Sequence, residues 1–124
     1  MWAMKRKTIR NHDDFLTTRD DAHTRSPYFF VKTKLAKYAN NPRYGLVASK
    51  RVFRHAVERN RAKRLLRDWI SFYEHRLLDE FDYIFIANRD ILSATRDQGR
   101  RIMRRALQRI RRYNKRFKKD AEKK

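Results

Sequence analysis

Residues 58–68 read "ERNRAKRLLRD", and the way they fold decides the architecture on either side. Turned at about 100° per residue, the longer run 59–77 divides into two arcs. Leu65, Trp69, Ala62, Tyr73, Leu66, Leu77 and Ile70 make one arc. Lys63, Arg67, Asn60, Arg64 and Arg61 make the other, with Arg59 at the border. The pattern predicts a helix over 55–78 with a core side and a cationic side. Before it, "YGLVAS" (44–49) is short and almost wholly apolar, as an interior strand is. After it, "DYIFIA" (82–87) carries a central apolar run. A helix between two such strands belongs to a layer of helices over a small sheet.

Outward from this centre the chain keeps to the same class. "YFFVKTKLAKY" (28–38) alternates, with Phe29, Val31, Thr33 and Leu35 on one face and Tyr28, Phe30, Lys32 and Lys34 on the other. "NNPR" (40–43) is a turn. Asn11 is placed to cap a first helix, with Asp13 and Asp14 in its first turn, where negative charge suits the dipole. Phe15 and Leu16 lie on its buried side, and it ends before Ser26-Pro27, since the residue before proline avoids helical geometry. Thr95 and Gln98 fit a capping box that opens a last helix, striped by Ile102, Met103, Ala106, Leu107 and Ile110. Residues 1–113 form one domain. Residues 114–124 are a basic tail, frayed or extending the last helix. The expected order is α-β-β-(β)-α-β-α: α+β, a single-domain two-layer sandwich with a small mixed sheet.

Composition limits what such a domain does. Among 124 residues, 34 Lys and Arg face 14 Asp and Glu, a formal net charge of +20. A compact domain with that charge repels itself, and an anionic partner relieves the repulsion. Nucleic acid is the leading candidate, with an anionic membrane second. There is no cysteine, so disulfides and thiolate metal sites are excluded and a reducing, cytoplasmic setting fits. No apolar run approaches the ~20 residues of a membrane span, and the N-terminus lacks the apolar region of a signal peptide.

The cationic arc could be an ordinary solvated helix face. Such a face interleaves acids with its bases at i,i+4. From Arg43 to Arg67 there are nine Lys or Arg and one acid, Glu58. Like charges one turn apart destabilise a helix slightly, and an anionic ligand offsets that. Most of the cations are arginine, whose planar fork of donors suits phosphate oxygens. Asn60 adds a neutral donor and acceptor, which suits RNA, where 2′-hydroxyls lie beside phosphates. On the strand at 28–38, Tyr28, Phe30, Lys32 and Lys34 mix stacking surfaces with cations, as sequence-tolerant single-strand binders do. The competing reading makes Phe30 a core residue and the lysines protection of a sheet edge.

"ERNRAKRLLRD", preceded by "GLVASKRVFRHAV" and followed by "FDYIFIA", resembles the protein subunit of bacterial ribonuclease P. That family carries Arg-Asn-Arg and then x-Lys-Arg-x-x-Arg at this place, and the likeness spans residues 5–113. The resemblance implies that a catalytic RNA subunit, using bound Mg2+, cleaves precursor tRNA to remove its 5′ leader. The protein then has no catalytic residue and binds no metal or cofactor alone. It implies RNA-subunit contacts at Arg59, Asn60, Arg61, Lys63, Arg64 and Arg67, with Lys50 and Arg51 just before them. It implies leader contacts at Phe15, Phe30 and Lys32, to which the alternation of the strand adds Tyr28. A one-residue shift of register would substitute Val31 and Thr33. Arg19 stands where the family often has a second aromatic, so contact there is expected to be electrostatic. The family fold also implies a left-handed strand–helix–strand crossover, against the general right-handed rule. Neither membrane nor DNA is an expected partner.

Two other functions compete. A protein-only nuclease would draw on Asp82, Asp90 and Asp97 with His12, His23, His55 and His75. These show no metal-ligand spacing. A generic or ribosomal RNA-binding protein would use the same cations without a role in cleavage. The basic run 100–119, with eleven Lys or Arg and no acid, has no assigned role.

Overall fold

The computed structural model describes residues 6–16, 22–38 and 40–122, with side chains as far as Asn114. Five strands, β1 (Lys7–Thr8), β2 (His23–Arg25), β3 (Phe29–Leu35), β4 (Arg43–Val47) and β5 (Phe81–Ala87), form one mixed sheet in the order β1-β4-β5-β3-β2. Two helices, α1 (Ala56–Phe72) and α2 (Arg96–Glu122), cover one face. β4 and β5 are parallel neighbours joined through α1, while β3 runs antiparallel to both β5 and β2. The fold is α+β, as the alternation of patterns predicts.

The strand register sorts the side chains. Val31 pairs with Phe85, which pairs with Leu46, and Thr33 pairs with Tyr83, which pairs with Tyr44. This face is buried beneath the helices. Phe29 and Phe85 meet edge to face at 5.9 Å, and Phe29 lies 6.4 Å from the ring of Trp69 in α1. The core arc of α1 sits as its periodicity predicts, with Ala62, Leu66, Trp69 and Ile70 fully buried. α2 contributes Met103, Ala106, Leu107 and Ile110. Its start is the expected box: the Thr95 amide donates to Gln98 Oε1 (2.9 Å) and the Gln98 amide donates to Thr95 Oγ1 (3.2 Å).

Several boundaries depart from the expectation. Asn11 does cap, accepting from the Asp13 amide at 3.2 Å. The element it opens, though, is a 3-10 turn, His12–Phe15, in place of a helix reaching toward Ser26. The chain re-enters as strand β2, and the intervening residues 17–21 lie outside the described residues. β1 and β2 add to the expected strands; at two and three residues they are too short to carry a period. α1 stops at Phe72, short of Leu78, and a second 3-10 turn, Glu74–Arg76, lets Leu77 reach the core from outside the helix. α2 continues without interruption to Glu122.

Gly99 lies in the first turns of α2, and a Cβ there would overlap the six-membered ring of Trp69. The absence of a side chain is what lets the two helices meet over the indole. Gly→Ala inside a helix ordinarily gains about 1 kcal/mol. Here overpacking, at about 1–3 kcal/mol, should outweigh it. Gly99→Ala is expected to lower the thermal midpoint by several degrees, and a raised midpoint would show that Trp69 yields freely.

Candidate RNA interface

The cationic arc of α1 faces away from the sheet. Asn60, Arg61, Arg64 and Arg67 are exposed and Lys63 is half-buried. None of these cations has an ion pair among the described residues. The acids that could have neutralised them are engaged elsewhere. Glu58 pairs with Arg89 at 3.1 Å, and Asp68 reaches Arg100 at 3.5 Å and Arg96 at 3.8 Å. The solvated-face reading needs interleaved ion pairs, and the geometry supplies none.

Arg59 differs from its neighbours. Its Nη1 donates to the carbonyls of Phe53 (2.9 Å) and Arg54 (3.2 Å), folding the guanidinium back over the approach to the helix. Arg89 donates to the Val52 carbonyl at 3.2 Å. Buried Phe53 plugs this segment into the core, and its amide donates to the Ser49 carbonyl at 2.9 Å. The exposed Lys50 and Arg51 therefore sit on a turn that is pinned on both sides. No sequence pattern points to the part played by Arg89, because its partners are more than thirty residues away.

Among the described residues, neither α1 nor α2 packs on the opposite face of the sheet. Its side chains fall into rows set by the register: Val47, Ile86, Phe30 and Arg25, then Gly45, Ile84, Lys32 and His23. Phe30 and Lys32 are half-buried, whereas Val31 and Thr33 are fully buried on the helix side. The register that turns Phe30 and Lys32 to the open face is thus the one adopted. Phe30 is ringed by cations, with the Arg25 guanidinium 5.0 Å and Lys32 Nζ 5.5 Å from its centroid, and His23 meets it edge-on at 5.8 Å. Tyr28 is a correction. It precedes β3, and its ring packs on the helix side, 6.0 Å from Trp69. The alternation does not extend to it, and it does not share the face of Phe30. Arg19 lies outside the described residues.

Phe15 reaches this face from the 3-10 turn. A Cβ at Gly45 would overlap its ring, so the glycine in β4 is the seat on which Phe15 rests. The turn is held by a buried charge cluster. Arg43 Nη1 donates to Asp14 Oδ2 (3.0 Å) and Nη2 to Asp82 Oδ2 (3.3 Å), while the Arg43 amide donates to Asp82 Oδ1 (2.7 Å). Lys37 adds a 3.2 Å contact to Asp14 Oδ1, and Lys34 Nζ donates to the Asp14 carbonyl at 3.1 Å. Burial alone would raise the Asp14 carboxyl, but the hydrogen bonds and charges of Arg43 and Lys37 outweigh it and hold the group below the ordinary carboxylate range. Burial would lower Arg43, but Asp14 and Asp82 outweigh it and raise the group.

Asp82, one of the acids a protein-only nuclease would need, is fully buried in that cluster. Asp90 and Asp97 are exposed, as are His12, His23, His55 and His75. Among the described residues no three His, Asp or Glu come together as a metal site. No helix among them is long and apolar enough to cross a membrane.

Residues 3–111 match the ribonuclease P family. The chain belongs to that family. The ribonuclease P protein component of Desulforapulum autotrophicum is 33% identical over 93 residues, covering 75% of this chain and 66% of that protein. The chain spans about half to two-thirds of the length of the curated relatives it matches. The Staphylococcus aureus RNase P protein superposes with a TM-score of 0.69 at 26% identity, covering 84% of this chain and 94% of that one. The Thermotoga maritima RNase P protein shares the fold, with a TM-score of 0.69 at 21% identity over 85% and 98% of the two chains.

The Asp14 cluster makes a prediction about acid. A carboxyl held low in the folded state stabilises the fold above its unfolded pKa, about 3.9. That contribution is lost as pH falls through the lower folded value. In thermal melts, Asp14→Asn should be destabilised relative to the unmodified protein near neutral pH. The gap should narrow below about pH 4. A gap that stays constant into acid would mean that the Asp14 charge contributes nothing to the anchor.

Proposed function

We propose that this chain acts as the protein subunit of ribonuclease P. On this reading, Asn60, Arg61, Lys63, Arg64 and Arg67 of α1 seat the catalytic RNA subunit, with Lys50 and Arg51 extending the contact. The open sheet face, with Phe15, Phe30 and Lys32, takes the 5′ leader of precursor tRNA. Mg2+ held by the RNA supplies the chemistry that breaks the phosphodiester, and the protein's part is to bind and orient. The cytoplasm is the setting that fits a cysteine-free, RNA-binding chain.

One observation carries the reading. The domain presents two surfaces of different chemistry on opposite sides. One is an arginine face with no internal acid partners, suited to folded RNA backbone. The other is an aromatic ring set among cations on the sheet face turned away from α1 and α2, suited to unpaired nucleotides. A generic RNA-binding protein would need only the first.

The test separates the two surfaces after reconstitution with a ribonuclease P RNA. Arg64→Ala should weaken assembly with the RNA subunit and flatten its log–log salt dependence by about one contact, roughly 0.7–0.9. Phe30→Ala should leave assembly intact and weaken binding of precursor tRNA by about 1–3 kcal/mol per stacked base, with no effect on mature tRNA, which has no leader. Failure of the protein to stimulate precursor cleavage at low Mg2+ would return the chain to the generic reading. Cleavage by the protein without the RNA would favour the nuclease.

A further inference from the structure

Arg25 does more than cover Phe30. It also lines a separate cleft of about 210 Å³ between the β2–β3 turn and the middle of α2, together with Ser26, Pro27, Ile102, Ala106 and the arginines at 105 and 109. We infer that this cleft is a phosphate subsite for single-stranded RNA, lying beyond the edge strand β2 and continuing the track of the open sheet face. The inference rests on the reading that the leader lies on that face.

The cleft has the chemistry for this. Arg25, Arg105 and Arg109 are all exposed, and none has an ion pair among the described residues. No acid lines the cleft. Three arginines from two elements line it with no acid among them, an excess of like charge that an anion relieves, and their donor forks match phosphate oxygens. The walls are apolar where Pro27, Ile102 and Ala106 lie, which suits the carbon face of a ribose. The volume is below that of a typical small-molecule pocket, about 300 Å³ and upward. It suits one sugar-phosphate unit better than a whole ligand with its base.

The cleft is also rigid. Ser26 Oγ donates to the Phe29 carbonyl (2.7 Å) and accepts from the Phe29 amide (3.1 Å), closing the turn. The Ser26 carbonyl accepts from Asn88 Nδ2 at 3.1 Å, tying the turn to the end of β5. On the helix side, Ala106 is buried and Ile102 packs on the core, so Arg105 and Arg109 project from a fixed base.

Position gives the cleft its partner. β2 is the edge of the sheet, and Arg25 pairs across it with Phe30. A strand whose base stacks on Phe30 and that leaves over β2 meets Arg25 first and the two α2 arginines next. Part of the basic run in α2 thereby gains a defined geometry.

The experiment uses holoenzyme reconstituted with its RNA subunit and precursor tRNAs whose leaders lengthen one nucleotide at a time. Affinity should rise with leader length in two stages, the first over the sheet face and the second on reaching the cleft. The double variant Arg105→Ala/Arg109→Ala should lose only the second stage, roughly threefold to tenfold per arginine. Phe30→Ala should lose the first. Arg101→Ala/Arg112→Ala removes the same charge from exposed positions of α2 outside the cleft and should leave both stages in place. If Phe30→Ala changes nothing, the sheet-face reading itself fails. If Phe30→Ala acts but the Arg105/Arg109 variant matches the unmodified protein at every length, the subsite is overturned. Equal losses from both arginine pairs would reduce the effect to general charge and overturn it too. A loss seen only in assembly with the RNA subunit would assign the cleft to that RNA and also overturn the inference.

Discussion

The indole of Trp69 sets the geometry on which the two proposed RNA-binding surfaces depend. It is fully buried, touches Phe29 of β3 and Tyr28 before it, and rests on the backbone of α2 where Gly99 leaves room. A ring held by a sheet on one side and a helix on the other permits little rotation of α1 about its axis. That fixes which arc of α1 is outside. The side from which Arg61, Arg64 and Arg67 project is therefore a consequence of core packing. Close packing transmits such a constraint because interiors have few voids to absorb a rotation.

Internal pairing concentrates the net charge. Five acids of the described residues are committed to arginines that stand off the cationic arc of α1: Asp14 and Asp82 to Arg43, Glu58 to Arg89, Asp68 to Arg96 and Arg100, and Asp79 to Arg6. Arg6 also donates to the carbonyls of Leu78 and Phe81, at 2.6 and 2.7 Å, and so stitches the start of the chain to the entrance of β5. Exposed ion pairs add little to stability. The buried Arg43 cluster matters more, because removing one partner strands a charge. Its use here is positional, since it pins the turn that delivers Phe15 to the open face.

The range of each interaction decides whether it could be read from the sequence. The two arcs of α1, the Thr95–Gln98 box, the interior strands and the outward set of Phe30 and Lys32 depend on residues within one or two turns or on a period of two. All are readable. The first helix is not. Asn11, Asp13 and Asp14 carry genuine start signals, but a cap says where a turn begins and not how far it runs. Its extent is set by Arg43, 29 residues on from Asp14, and by the seat at Gly45. Tyr28 misleads for a related reason: the alternation runs one residue past the end of β3, where Trp69 offers a better contact. Arg25 stays hidden because three residues of strand show no pattern. Only pairing with Phe30 reveals its face. The family resemblance supplies roles for residues that spacing can merely expose.

The two surfaces lie on opposite sides of a single packed core, and this has an electrostatic consequence. Two RNA segments brought close together repel through their phosphates, and screening leaves that repulsion strong within about 8–10 Å at physiological salt. A domain of +20 placed between them replaces repulsion with two attractions, provided its cations face both ways. A helix with cations all round could hold two strands only by sharing the same side chains between them. The sheet removes that competition. α1 presents its arginines outward from the helix layer, while Phe30, Lys32 and Arg25 face out from the other side, and buried residues separate the two sets of charges. On the proposed reading, this arrangement lets one small protein bind a folded RNA and an unpaired leader at the same time, without one displacing the other.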